Sequence, residues 1–131
     1  MPGIEPTASW SIDSRLTQDG VPCGDLHLCR VLVMNNANFP WLILVPLRPH
    51  VVEIIDLDEP DQMQLMREIT QASRALRTVT RCDKLNIAAL GNAVPQLHVH
   101  VIARFRTDAA GPGPVWGQVP QVAARPCGGG S

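Results

Sequence analysis

The stretch Gln96-Leu97-His98-Val99-His100-Val101-Ile102 holds the side chains best suited to chemistry in this chain. An extended backbone alternates sides at each residue, so Gln96, His98 and His100 project from one face while Leu97, Val99 and Val101 face the other. Two imidazoles and an amide then form a row with a step of about 7 Å, able to meet successive atoms of a phosphate ester. Imidazole titrates near pH 6.5, roughly at neutrality, so one ring serves as a neutral nucleophile while its neighbour donates a proton. Attack by His98 at phosphorus forms a phosphorylated histidine that water resolves, and His100 steadies the phosphate or the leaving group. A plain H-x-H also suits a surface or dimer-contact pair. Here half of the 4 histidines share one strand face. The Gly91-Asn92-Ala93 turn before them offers exposed amides to a phosphate oxygen.

The elements that must position this row follow from the rest of the chain. Residues 28–34 (LCRVLVM) and 40–46 (PWLILVP) flank the turn-forming Asn35-Asn36-Ala37-Asn38, which reads as a hairpin. The second of these strands is apolar on both faces and belongs in the sheet centre. Residues 51–57 are a further apolar stretch, loop or strand. Asp58 caps a helix with Pro60 in its first turn and Met63, Met66, Ile69, Ala72, Leu76 and Val79 as the buried stripe, ending near Arg81. Arg67, Glu68, Arg74 and Arg77 lie on the opposite face and read as solvated. Residues 84–90 and 97–105 form a second strand pair. Residues 1–27 form an arm with at most a short helix at 13–18, and residues 107–131 a Gly/Pro-rich tail lying on the body.

Composition bounds the partners. The chain has 131 residues, 45% of them apolar and 18% charged, enough for one domain with one core. A net charge of −1 gives no basic excess for nucleic acid or an anionic membrane, so the expected partner is a small ligand. The apolar run at 39–47 falls well short of the about 20 residues that span a bilayer. Cys23, Cys29, Cys82 and Cys127 show no C-x-x-C spacing, and no leader precedes them, which together suggest a soluble protein of the reducing cytoplasm.

The stretch 91–104, GNAVPQLHVHVIAR, resembles the signature of the histidine triad (HIT) family, His-φ-His-φ-His-φ-φ with φ apolar. The likeness extends over residues 28–106 and is nearest the fragile-histidine-triad branch. It implies an α+β, HIT-like fold: a roughly five-stranded antiparallel sheet with one long helix and a short N-terminal helix, assembled as a homodimer. It also implies nucleotide hydrolysis or transfer at the α-phosphate of a phosphoramidate, an adenylate or a dinucleoside polyphosphate. A purine nucleotide or conjugate is the partner, with no cofactor or metal. By the same resemblance His98 is the nucleophile and His100 the last triad histidine. Asn92, with Gly91 and Ala93 in its turn, contacts phosphate, and Asn35 contacts ribose. Gln96 replaces the first triad histidine, although its backbone carbonyl still accepts from the Nδ1 of the nucleophile. Ala93 replaces a hydroxyl residue, Trp41 stands where a family histidine precedes the site, and His50 has no assigned role.

Two other classes compete. A zinc site would combine His98 and His100 with Cys23, Cys29 or Cys82. A binding module would hold a nucleotide or a protein without turnover, its altered triad being the reason. Trp116 is a candidate for folding back over the site.

Overall fold

The computed structural model describes residues 10–116. Helix α1 (Ser14–Asp19) opens on Asp13, whose side chain accepts from the Arg15 N–H. Strands β1 (Gly20–Asp25), β2 (Cys29–Met34) and β3 (Trp41–Pro46) follow. Helix α2 (Glu59–Thr80) crosses to β4 (Lys84–Ala88), and β5 (Val99–Arg104) ends the regular structure. The five strands form one antiparallel sheet in the order β1-β2-β3-β5-β4. The expected α+β fold, with its central second hairpin strand and single long helix, is therefore present.

Alternation divides the core in two. Val99, Val101 and Ala103 of β5 meet Leu65, Ile69, Ala72 and Leu76 of α2 on one face. Ile102 joins Trp41, Ile43 and Val45 on the other face, covered by Leu16, Phe39 and Val115. All six residues of β5 are buried, because α2 covers one side while the N-terminal arm and the C-terminal segment cover the other. Arg104 anchors that segment. Its guanidinium donates from Nε to Asp108 at 2.7 Å, from Nη1 to Asn86 at 2.7 Å and from Nη2 to the Gly111 carbonyl at 2.7 Å.

Several expectations change. The fifth strand is β1, from the stretch read as an arm, whereas 51–57 forms only a 3₁₀ turn at Ile54–Asp56. Pro22 and two glycines disguise β1 in sequence; an edge strand tolerates them because one side of its backbone needs no partner. The buried stripe of α2 is Leu65, Ile69, Ala72 and Leu76, while Met63, Met66 and Val79 are exposed. Glu68 is not solvated. It is buried, and its carboxylate accepts from the Leu28 N–H at 2.7 Å and the Cys29 N–H at 2.8 Å. Gln64 Nε2 also donates to it at 2.7 Å, so the carboxylate is satisfied inside the core. The C-terminal stretch packs at Val115, which is 4% exposed; Cys127 and the closing Gly-Gly-Gly-Ser lie outside the described residues.

Candidate active site

His98 stands one residue before β5 begins and His100 is its second residue. The β5 pairing that places Ile43 and Ala88 on either side of His100 holds its backbone rigid. Just upstream, the Leu97 N–H donates to the Val51 carbonyl at 3.0 Å and fixes the entry to the strand. The two rings lie 5.1 Å apart between centroids, inclined at 70°.

Their hydrogen bonds assign the protons. His98 Nδ1 lies 2.7 Å from the Gln96 carbonyl, which can only accept, so Nδ1 carries the hydrogen and Nε2 keeps a lone pair. The indole Nε1 of Trp41, which can only donate, lies 3.0 Å from His100 Nδ1, so in that ring the hydrogen sits on Nε2. Neighbouring rings thus hold opposite tautomers: one presents a nucleophilic nitrogen, the other an N–H donor. Burial, reinforced by the nearby His98, pushes His100 down to about 4, which keeps that ring uncharged at neutral pH. Trp116 packs edge-on against His100 at 5.2 Å and against Trp41 at 5.8 Å.

The turn before the strand touches the same ring. Gly91 has φ +98°, and a Cβ added there would lie 2.8 Å from His98 Cε1. Only glycine meets both demands, a left-handed backbone and close approach to the imidazole. Asn92 and Ala93 follow, both exposed.

The Gln96 amide belongs to the arm. Its Oε1 accepts from the Asp13 N–H at 2.7 Å and its Nε2 donates to the Ser11 carbonyl at 2.9 Å. The row of three polar groups therefore reduces to two rings, with Gln96 contributing its carbonyl to His98. Asn35 follows β2, which β3 separates from β5, and its N–H donates to the Asp19 carbonyl at 2.6 Å. His50 is exposed, has φ 60°, and lines a cavity of about 180 Å³ together with Gln96 and Arg48. A cavity of about 580 Å³ lies at the other end of β5 beside Arg104 and Lys84.

Residues 13 and 15 are new to the site. Arg15 Nη1 donates to the Ala93 carbonyl at 2.7 Å, while its Nη2 pairs with Asp13 at 2.8 Å. The Arg15 guanidinium holds the Asp13 carboxyl down at about 2. Nothing in local spacing links residue 15 to residue 93; the only sequence trace is an N-cap Asp followed two residues later by Arg. Trp41 was legible as a buried tryptophan but not as the partner of His100. Among the described residues no three His, Cys, Asp or Glu side chains gather as a metal site. Cys29 packs on the α2 side of the sheet, away from the two rings.

Comparison with known proteins shows the family. The HIT domain model matches residues 17–107. A histidine triad protein from Bradyrhizobium japonicum superposes with a TM-score of 0.88 at 62% identity, covering 89% of this chain and 87% of that one. A histidine triad (HIT) protein from Sinorhizobium meliloti 1021 gives 0.86 at 45% identity over 88% and 86% of the two chains. One from Marinobacter aquaeolei VT8 gives 0.85 at 43% over 88% and 84%. Bis(5'-adenosyl)-triphosphatase of Saccharomyces cerevisiae is 28% identical over 75 residues, 53% of this chain. The matched region spans only 36% of the length of that curated relative. With residues 17–107 matched by the family model and the fold shared with histidine triad proteins at TM-scores of 0.85 to 0.88, the chain belongs to the HIT domain family.

Proposed function

We propose that this chain is a nucleotide hydrolase or nucleotidyl transferase acting at the α-phosphate of a purine nucleotide conjugate, through a nucleotidyl intermediate on His98. The observation that carries the reading is the pair of opposite tautomers. The Gln96 carbonyl leaves the His98 Nε2 lone pair free to attack, and the Trp41 N–H leaves the His100 Nε2 hydrogen available as a phosphate donor. Gly91, Asn92 and Ala93 supply the backbone and amide contacts to the phosphate, and Asn35 the contact to ribose. Phosphoramidates, adenylates and dinucleoside polyphosphates share the α-phosphorus that such a pair attacks. The triphosphatase relative supports this class of substrate.

The chain works as a homodimer in this reading. Strand β4 leaves one edge of the sheet open, and Ile87 and Leu90 beside that edge are about half exposed, a surface that a second copy would cover. A cytoplasmic setting suits Cys29 and Cys82, which form no disulfide among the described residues. A binding module without turnover is the second reading, favoured by Trp116 lying against His100. The two differ in what His98→Ala does. For the enzyme, AMP release from a conjugate falls at least about 1000-fold while AMP affinity by calorimetry stays within a few-fold. Intact affinity with no turnover in either protein is the result that favours the binding module.

A further inference from the structure

Breaking the bond from phosphorus to a leaving group sends the electron pair to that group. A carboxylate or a phosphate carries the pair away as a stable anion. An amine nitrogen must gain a proton as the bond breaks, and an enzyme supplies it with a positioned acid.

The surroundings of the two rings hold no such acid among the described residues. His98 Nδ1–H is spent on the Gln96 carbonyl, and His98 is itself the attacking group. His100 cannot take a second proton on Nδ1 without losing the Trp41 N–H, so it offers only the Nε2 hydrogen of a neutral imidazole. The Gln96 amide is held by Asp13 and Ser11. Asp13 stays ionised beside Arg15, and a guanidinium does not give up its proton. Strands β3 and β4 bring Ile43 and Ala88 opposite His100, and the C-terminal segment brings Trp116. Ala93 carries only a methyl group. Arg15 stands on the Ala93 carbonyl with its charge balanced by Asp13.

Building on the nucleotidyl-transfer reading above, we infer that this site selects conjugates whose leaving group departs as a stable oxyanion, a carboxylate or a phosphate, and discriminates against phosphoramidates. In the first step the His98 Nε2 lone pair forms the N–P bond. The P–O bond to the leaving group breaks, and its electron pair leaves on oxygen without a proton. Water then forms the new P–O bond, the N–P pair returns to Nε2, and the water proton passes to solvent.

The test measures kcat/KM of the full chain at pH 7.5 for acetyl adenylate, diadenosine triphosphate, adenosine 5'-phosphoramidate and adenosine 5'-phosphomorpholidate, with His98→Ala as the blank. The oxyanion conjugates should exceed both amine conjugates by roughly 100-fold or more, the size of a missing general acid. Acetyl adenylate against the triphosphate tells carboxylate from phosphate. Between pH 7.5 and 5.5 the amine conjugates should gain on the others, because solvent supplies their proton. Trp41→Phe, which frees His100 Nδ1 to be protonated, should narrow the gap by about tenfold. Amine conjugates turned over as fast as the oxyanion ones, or a gap that neither pH nor Trp41→Phe changes, overturns the inference and leaves nucleotidyl transfer standing. Absence of turnover and of adduct with all four overturns the underlying reading instead.

Discussion

At the scale of single residues, the proposed chemistry rests on two rings whose protons are assigned by neighbours that can only accept or only donate. The H-x-H spacing made the pair legible, since strand alternation alone puts both rings on one face. What fixes their tautomers was less legible, because Trp41 is 59 residues from His100 and reads in sequence as one more apolar side chain. The buried, neutral His100 has a consequence for stability. Its folded value of about 4 lies below the unfolded 6.5, so between those pH values the unfolded chain binds more protons. Stability is fully present above about pH 6.5 and falls as pH drops through this window, by about 3 kcal/mol in all. Urea midpoints for the wild type and His100→Asn at pH 7 and pH 4.5 check this: the wild type should lose more over that interval. Equal losses contradict it. Gly91→Ala tests positioning, because its methyl would press on His98 Cε1. Displacing the ring should cut kcat/KM about 100-fold, while the strained backbone costs only about 1 kcal/mol of stability. A fall in activity no larger than the fall in folded fraction contradicts that account.

At the scale of elements, the hairpin, the long helix and the second strand pair were all readable from β-branched runs, turn clusters, the Asp58 cap and helical periodicity. Two features were not. Strand β1 reads as loop because Pro22, Gly20 and Gly24 break its pattern, and pairing with β2 overrides that local preference. Of the expected stripe of α2, Ile69, Ala72 and Leu76 are buried, whereas Met63, Met66 and Val79 share their helical period and are exposed. Glu68 was misread for a related reason. A charged side chain at helical spacing looks solvated until the two N–H groups it satisfies, on Leu28 and Cys29, come from a strand nearly 40 residues away. Glu68→Gln leaves one of those buried donors facing an N–H instead of an oxygen. It should cost about 2–3 kcal/mol by urea denaturation, with a smaller loss at a solvated control such as Arg74→Gln. Equal losses at the two positions contradict the role given to Glu68.

At the scale of the whole molecule, the α2 face of the sheet is a packed core and the opposite face carries the candidate chemistry under the arm and the C-terminal segment. Length and composition pointed to one domain, and the fold followed from the order of elements. The arm's place over the site did not, because it depends on contacts such as Arg15 to Ala93 across 78 residues. The open edge at β4 makes a prediction about assembly. The wild type should sediment as a dimer and Ile87→Lys as a folded monomer, with unchanged circular dichroism; a wild-type monomer, or a dimer that survives the substitution, contradicts the proposed interface. The central claim is narrower than assembly: His98 Nε2 forms a bond to phosphorus. Its most direct measurement is rapid acid quench of the full chain with a dinucleoside polyphosphate, followed by intact mass and peptide mapping. The account predicts a mass gain of one nucleotidyl group on the peptide holding His98 in the wild type and none in His98→Ala. Turnover with no adduct on that peptide, or an adduct that persists in His98→Ala, would contradict it.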